Sequence, residues 1–158
     1  MHTIDQTDAR ILSALMKDPR QSVVSLANHL GISRNTVQAR LNQLDGKGVF
    51  SSYAASVNPT ALGYPLVAFI HAHVQQRRLA DIAAALQEIP EVVQAHGVTG
   101  PADILIRVVA EGAEDLFRVN SEILAIEGVE RTDTSLAMSE LIPFRIDPLL
   151  SPPAPSSM

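Results

Sequence analysis

"SVVSLANHLGISRNTVQARLNQLDGKG", residues 22–48, is the stretch whose reading decides the fold. Ser22 suits a helix cap, Val23, Leu26, Ala27 and Leu30 recur at helical spacing, and Gly31 closes the segment. After "GIS", Ser33 caps a further helix predicted to run to about Asp45. Val37, Leu41 and Leu44 point inward on it, and "GKG" ends it. Two short helices joined by a tight turn containing glycine make a helix-turn-helix. In that motif the N-terminal residues of the second helix reach base edges in the major groove. Here they are Arg34, Asn35 and Gln38. Guanidinium pairs with guanine, and side-chain amides pair bidentately with adenine. The competing reading is an ordinary amphipathic helix with a wet outer side. Such a helix favours Glu and Lys there, whereas this one carries Asn35, Gln38, Ala39 and Asn42. Thr36 and Arg40 complete the set expected to touch DNA.

Working outward, "TIDQTDARILSALMKDPR" (3–20) predicts a first helix that buttresses the pair. Asp5 caps it, Asp8 stands three residues on as in a capping box, and Pro19 stops it. Ile11, Leu12, Leu15 and Met16 form its apolar stripe. "VFSSYAASV" (49–57) alternates like a β wing, and "NPTALGYP" (58–65) is a connector marked by Pro and Gly. Residues 1–58 are therefore expected to form a winged helix-turn-helix domain and 59–64 a linker. From Pro65 the texture changes to strand ("PLVAFIHAHVQ"), helix ("RLADIAAALQEIP"), strand ("EVVQAHGV"), strand ("ILIRVVA"), helix ("GAEDLFRVNSEILAIEG") and a long strand ("VERTDTSLAMSELI"). That β-α-β-β-α-β order is the ferredoxin-like arrangement, expected over residues 65–146. The fold class is α+β. Residues 147–158, ending in "SPPAPSSM", are expected to be a tail too rich in Pro and Ser to pack.

Composition sets the limits. A chain of 158 residues, 46% hydrophobic, can bury a core in one medium domain or two small ones. The absence of cysteine excludes disulfides, thiolate metal sites and a cysteine nucleophile, and fits a reducing cytoplasm. No apolar stretch approaches the ~20 residues needed to span a bilayer. The start of the chain has neither a basic nor a long apolar region of the kind a signal peptide needs. The expected setting is cytoplasmic, with no membrane partner. The net charge of −5 argues against a polyanionic ligand taken whole, but residues 1–58 carry +2 and the remainder −7. Only the N-terminal part is expected to meet an anion.

The chain resembles the Lrp/AsnC, or feast/famine, family of transcriptional regulators over about residues 3–145. The resemblance is carried by Ser33, Val37, Arg40, Leu44 and Gly48 at their spacing, by the wing, and by the βαββαβ half that follows. It implies a winged DNA-binding domain and a second, RAM-type domain that senses an effector and forms dimers. It further implies an amino-acid effector bound between dimers of a higher assembly, an octamer. Double-stranded operator DNA, a small effector and further copies of this chain are the partners expected. In that family the effector loop has a Gly-x-x-Asp core, met here by Gly100 and Asp103 within "GVTGPADILIRV". Gly97, Val98, Thr99, Gly100, Ala102 and Asp103 are thereby candidate effector residues. Glycines let backbone N–H groups approach a carboxylate, and an acid can take an ammonium. A hairpin turn chosen for geometry alone is the alternative. Ala102 departs from the family, whose members often carry an aromatic just before the Asp.

Thr132 and Thr134 alternate on the last strand and are further candidates for the effector pocket. His71 and His73 alternate likewise, either as a ligand pair or as part of a half-buried sheet face covered by a partner subunit. His96 falls on a strand expected at the sheet edge. With two helices against one sheet face, the face bearing Val67, Phe69 and His71 needs cover, which argues for oligomerisation. No Ser–His–Asp arrangement, phosphate-cradling loop or close metal-ligand spacing is present, so neither catalysis, metal nor cofactor is expected. The rival class is an enzyme similar to siroheme decarboxylases, which share this architecture and use histidines near a tetrapyrrole.

Overall fold

A computed structural model of the chain describes residues 4–50 and 57–150. The chain divides into two compact units, one containing the N-terminal helices and the other running from Ser56 to Glu140.

In the first unit, α1 (Gln6–Lys17) opens with the expected capping box. Asp8 N–H donates to Asp5 Oδ1 at 2.9 Å and Asp5 N–H to Asp8 Oδ2 at 3.1 Å, satisfying two orphan donors. Its buried face is Asp8, Ile11, Leu12 and Ala14. Leu15 is half-buried and Met16 is exposed, so the expected stripe is rotated toward the Asp8 side. Ser22 caps α2 (Val23–Leu30). Gly31 then takes φ 69°, a left-handed value that favours glycine, and Ile32 N–H reaches back to Ala27 O at 3.1 Å. That closure turns Ile32 onto the core and delivers Ser33 as the cap of α3 (Arg34–Gly46). Three residues thus separate the helices. Gly48 repeats the device at the end of α3, with Val49 N–H bonded to Leu44 O at 3.0 Å. The core between the helices is Ile11, Leu12, Leu26, Ala27, Val37 and Leu44. The expected wing falls mostly on residues 51–56, outside the described residues.

In the second unit, β1 (Leu66–Val74), α4 (Leu79–Gln87), β2 (Val92–Gly97), β3 (Ile104–Ala110), α5 (Ala113–Leu124) and β4 (Val129–Leu136) follow in the expected order. The sheet is antiparallel, in the order β2-β3-β1-β4. From Val67 onward burial along β1 alternates strictly. Ala68, Ile70, Ala72 and Val74 lie against Ile82 and Leu86 of α4 and Val119 and Ile123 of α5, together with Ile106 and Val108 of β3. The opposite face, with Val67, Phe69, His71, His73, Leu105 and Arg107, is half-buried and carries no helix among the described residues.

Two expectations fail toward the C-terminus. The last strand ends at Leu136 rather than near Ile142, with Ala137 N–H giving a final bond to Val67 O. Residues 147–150 were expected in the non-packing tail but form a short helix, α6 (Asp147–Leu150). Leu150 lies half-buried on the core of the first unit, and the chain from Leu141 onward groups with that unit. The apolar pair "LL" just before the Pro/Ser run supplies the contact that composition alone hides.

Candidate nucleic-acid interface and effector loop

The outward side of α3 is assembled by Ser33. Its hydroxyl accepts from Thr36 N–H at 3.1 Å and pairs with Thr36 Oγ1 at 2.8 Å, fixing the first turn. Arg34, Asn35, Thr36, Gln38, Ala39 and Asn42 are all exposed. Gln38 Nε2 donates to Asn42 Oδ1 at 3.0 Å, one turn along the same side. The two amides are thus aligned before any ligand arrives. No carboxylate among the described residues pairs with Arg34.

Arg40, expected among the DNA contacts, has its guanidinium turned back to α1, ion-paired with Asp5 and lying 3.3 Å from Asp8 Oδ1. The Asp8 side chain is almost fully buried, and a buried carboxylate without a cation is costly. Arg40 meets that need and so clamps α3 to the capping box of α1. The Asp8 N–H first, then the Arg40 guanidinium, hold the Asp5 carboxyl below the usual range. The Asp5 carboxylate in turn raises Arg40.

In the second unit, the loop after β2 is closed by Val98 N–H donating to Asp103 O at 2.9 Å. Gly100 at its tip has φ 120°, in the region that favours glycine. Asp103 is already engaged: Oδ2 accepts from Val74 N–H at 2.9 Å and Oδ1 from Gln76 Nε2 at 2.7 Å. Those bonds, the Val74 N–H first, hold its carboxyl below the usual range. The carboxylate retains lone pairs for a further donor. Ala102 is 6% exposed, so little open space adjoins its side chain for an aromatic. Beside the loop, an apolar cleft of about 410 Å³ lies between α4 and the edge strand β2. Leu79, Ala83, Leu86, Val93 and Ile104 line it, with His96 and Gly97 at the loop side.

The predicted effector residues do not all converge in one chain. Gly97 lines the cleft, Asp103 braces the end of β1, and the threonines lie at the far edge of the sheet. Thr132 pairs with Ala72 and Thr134 with Ile70, so both point to the helix-covered face, where Thr134 Oγ1 donates to Asn120 Oδ1 at 3.1 Å. Strands β2 and β4 are three spacings apart, about 14 Å.

Residues 4–45 match the AsnC-type helix-turn-helix domain, and residues 67–146 match the Lrp/AsnC ligand binding domain. The chain belongs to the Lrp/AsnC family of DNA-binding transcriptional regulators. It is 30% identical over 135 residues to the HTH-type transcriptional regulator FL11 of Pyrococcus furiosus, covering 85% of this chain and 89% of that one. An uncharacterised HTH-type regulator of Pyrococcus horikoshii is 34% identical over 137 residues, 86% of this chain and 87% of its own. Among solved structures, AsnC of E. coli superposes with a TM-score of 0.83 at 28% identity, covering 93% of this chain and all of the other. A Neisseria meningitidis transcriptional regulator crystallised with L-methionine gives 0.80 at 28% identity, over 89% and 93% of the two chains.

The Lrp/AsnC relatives are regulators of transcription, so the enzyme alternative gains no support from them. The histidines on which it would rest sit apart. His71 and His96 flank Leu105 on the open sheet face, and His73 Nε2 lies 3.0 Å from Arg131 Nη2. Among the described residues no three His, Cys, Asp or Glu side chains come together as a metal site. Nor is any helix there long and apolar enough to cross a membrane.

Sequence reasoning missed four structural residues. Gln76 braces Asp103, and Arg107 lies on the open face with its Nε buried and unbonded among the described residues. Arg118 ties Asp115 and Glu122 of α5 to the buried Glu91 ahead of β2. The i+3 and i+4 spacing around Arg118 in "EDLFRVNSE" was a readable signal. Nothing in the sequence pointed to Glu91.

Proposed function

We propose that this Lrp/AsnC chain reads operator DNA with the N-terminal half of α3 and adjusts its affinity in response to an amino acid. Arg34, Asn35, Thr36, Gln38, Ala39 and Asn42 are the groove-facing set. The observation that carries the reading is the division of labour on α3. Its one arginine with carboxylate partners faces inward, while its outward side offers amides, a hydroxyl and a guanidinium with no carboxylate partner among the described residues. Such a side is complementary to base edges and phosphates. The test is a gel shift against the DNA upstream of the chain's own gene. Asn35→Ala or Gln38→Ala is expected to cost about 1–3 kcal/mol at the specific site. Wild-type binding by both variants overturns the assignment.

The effector reading places the loop from Gly97 to Asp103 as the sensor. Backbone donors near Gly97 and Gly100 would take the carboxylate, and the remaining lone pairs of Asp103 the ammonium. The cleft beside Gly97 favours an effector with an aliphatic side chain, since its walls are Leu, Ala, Val and Ile. Thr132 and Thr134 would join such a site only from a neighbouring subunit, in keeping with dimers that assemble to an octamer. The open sheet face supports that assembly, as do Met138, Leu141 and Phe144, each at least 90% exposed. A dimer should protect half-sites one helical turn apart, about 34 Å, or a multiple of it.

A further inference from the structure

A second cleft, of about 260 Å³, lies in the first unit between α1 and the end of α2. Arg10, Ser13, Ala14 and Lys17 line it from one flank of α1, and His29 and Leu30 from α2. Its polar groups are a guanidinium, an ammonium, a hydroxyl and an imidazole, and no carboxylate lines it. Arg10 Nη2 donates to Leu30 O at 2.9 Å, which ties the guanidinium to the carbonyl end of α2, and its other nitrogens have no partner among the described residues. No ion pair holds Arg10, Lys17 or His29 among the described residues. Lys17 and His29 lie in the last turns of α1 and α2, where the helix carbonyl ends offset part of their charge, and no acid among the lining residues offsets the rest. A helix turns about 100° per residue, so Lys17 and Arg10 stand about 180° and 200° around α1 from Asp8. Asp8 is the residue that faces Arg40 of α3. The cleft therefore lies on the side of α1 turned away from its anchor to α3.

We propose that this cleft is a second phosphate-binding site, which takes a backbone phosphate of DNA lying outside the groove read by α3. A phosphate matches the donor set in charge, in size and in its need for several N–H and O–H partners. The proposal rests on the reading of α3 given above and adds a contact that carries no sequence information. DNA that meets both sites has to run on past the recognition helix along the flank of the helical unit.

The test uses the full-length protein with Lys17→Gln and His29→Gln combined, and two duplexes. One is long; the other is trimmed to the base pairs under the recognition helices. On the long duplex the variant is expected to bind more weakly, with a log–log salt slope smaller by about 1–2 per head, and to keep its sequence preference. On the trimmed duplex it should match wild type. Lys17→Glu should give the same pattern, enlarged. An unchanged slope on the long duplex overturns the proposal, and an equal loss on both duplexes overturns its placement outside the groove. Inorganic phosphate, followed through the His29 ring resonances, separates the sources. Tight binding of free phosphate with unaltered DNA affinity in the variant refutes DNA as the ligand. Asn35→Ala with Gln38→Ala tests the underlying reading separately, since it removes sequence preference and leaves the Lys17 effect intact.

Discussion

The outward side of α3 and the open face of the sheet are both left uncovered by the described residues, and they are made of different material. The helix presents short polar side chains with Arg34 at the leading end. The sheet presents Val67, Phe69 and Leu105 with histidines and Arg107 set among them. The helix side can remain in water at little cost, and on the proposed reading its hydrogen-bonding groups exchange water for base edges. The sheet face loses free energy in water, and Arg107 Nε lies buried there without an acceptor among the described residues. On the proposed reading, the helix side takes a partner that comes and goes and the sheet face a partner that stays. The arginines tell the same story from within. Arg40 and Arg118 are each surrounded by acids and hold elements together, while Arg34 and Arg107 have no carboxylate partner among the described residues.

The largest expected effect tests the helix side of that contrast. Ala39 is exposed at the centre of the outward side of α3. Ala39→Glu puts a carboxylate into the groove, where like-charge juxtaposition costs several kcal/mol. Operator binding should vanish in a gel shift while the circular dichroism spectrum stays as in wild type. Retention of binding would place the DNA on another surface. The sheet side is tested by Phe69→Arg. Two such faces packed together would bury an unpaired charge, costing about 3–5 kcal/mol and more than a hundredfold in the dimer constant. Sedimentation at micromolar concentration should then report a smaller species than wild type. An unchanged species would show that the assembly uses a different surface.

Coupling between the two surfaces is the next effect in size. Asp103→Ala should remove the influence of the effector on operator affinity, a shift of about 5–150-fold in a typical regulator. Effector-free DNA binding should stay near wild type, because Asp103 lies in the second unit. Because Asp103 also braces Val74 N–H and Gln76, Asp103→Asn is the sharper companion. It keeps a carbonyl for the Val74 bond and loses the charge an ammonium needs. The measurement is operator titration with and without each common amino acid. A full response in both variants moves the sensor away from this loop.

Much of this was legible in the residues, and the failures share a cause. The helix-turn-helix follows from local chemistry: Ser22, Gly31 and Ser33 each act within a few residues of their own position. The βαββαβ order follows from period and turn signals, and the alternation along β1 places His71 and His73 on the open face as read. What the sequence hides is pairing between distant positions. Arg40 lies on the helix proposed to read DNA, and its partners Asp5 and Asp8, 35 and 32 residues away in the chain, are brought to it only by folding. The Thr132 and Thr134 pair was correctly placed on one face, but which face depends on the register with Ala72 and Ile70. Leu150 was masked by the composition of the residues after it.

The smallest effect expected separates the inward arginine from the outward one. Asp5 has its carboxyl held below the usual range, by the Asp8 N–H first and by Arg40 second. A carboxyl lower in the folded than in the unfolded state contributes stability that is fully present above its unfolded value. That contribution is lost as pH falls through the folded one. The helical unit should therefore hold constant stability near neutral pH and weaken from about pH 5 downward. Arg40→Gln removes the second cause and leaves the first, because the capping bond from Asp8 N–H does not depend on the guanidinium. The variant should unfold at a lower temperature at pH 7, and its further loss between pH 5 and pH 3 should be shallower than in wild type yet not flat. Thermal melts of both proteins, read from amide resonances of Ile11 and Val37, measure this within the unit concerned. The same variant should bind DNA with an unchanged salt slope wherever it is folded, whereas Arg34→Gln should reduce the slope by about 1 per head. A slope reduced by Arg40→Gln would mean that Arg40 leaves Asp5 and Asp8 to contact DNA, and the clamp would then be a feature of the DNA-free state alone.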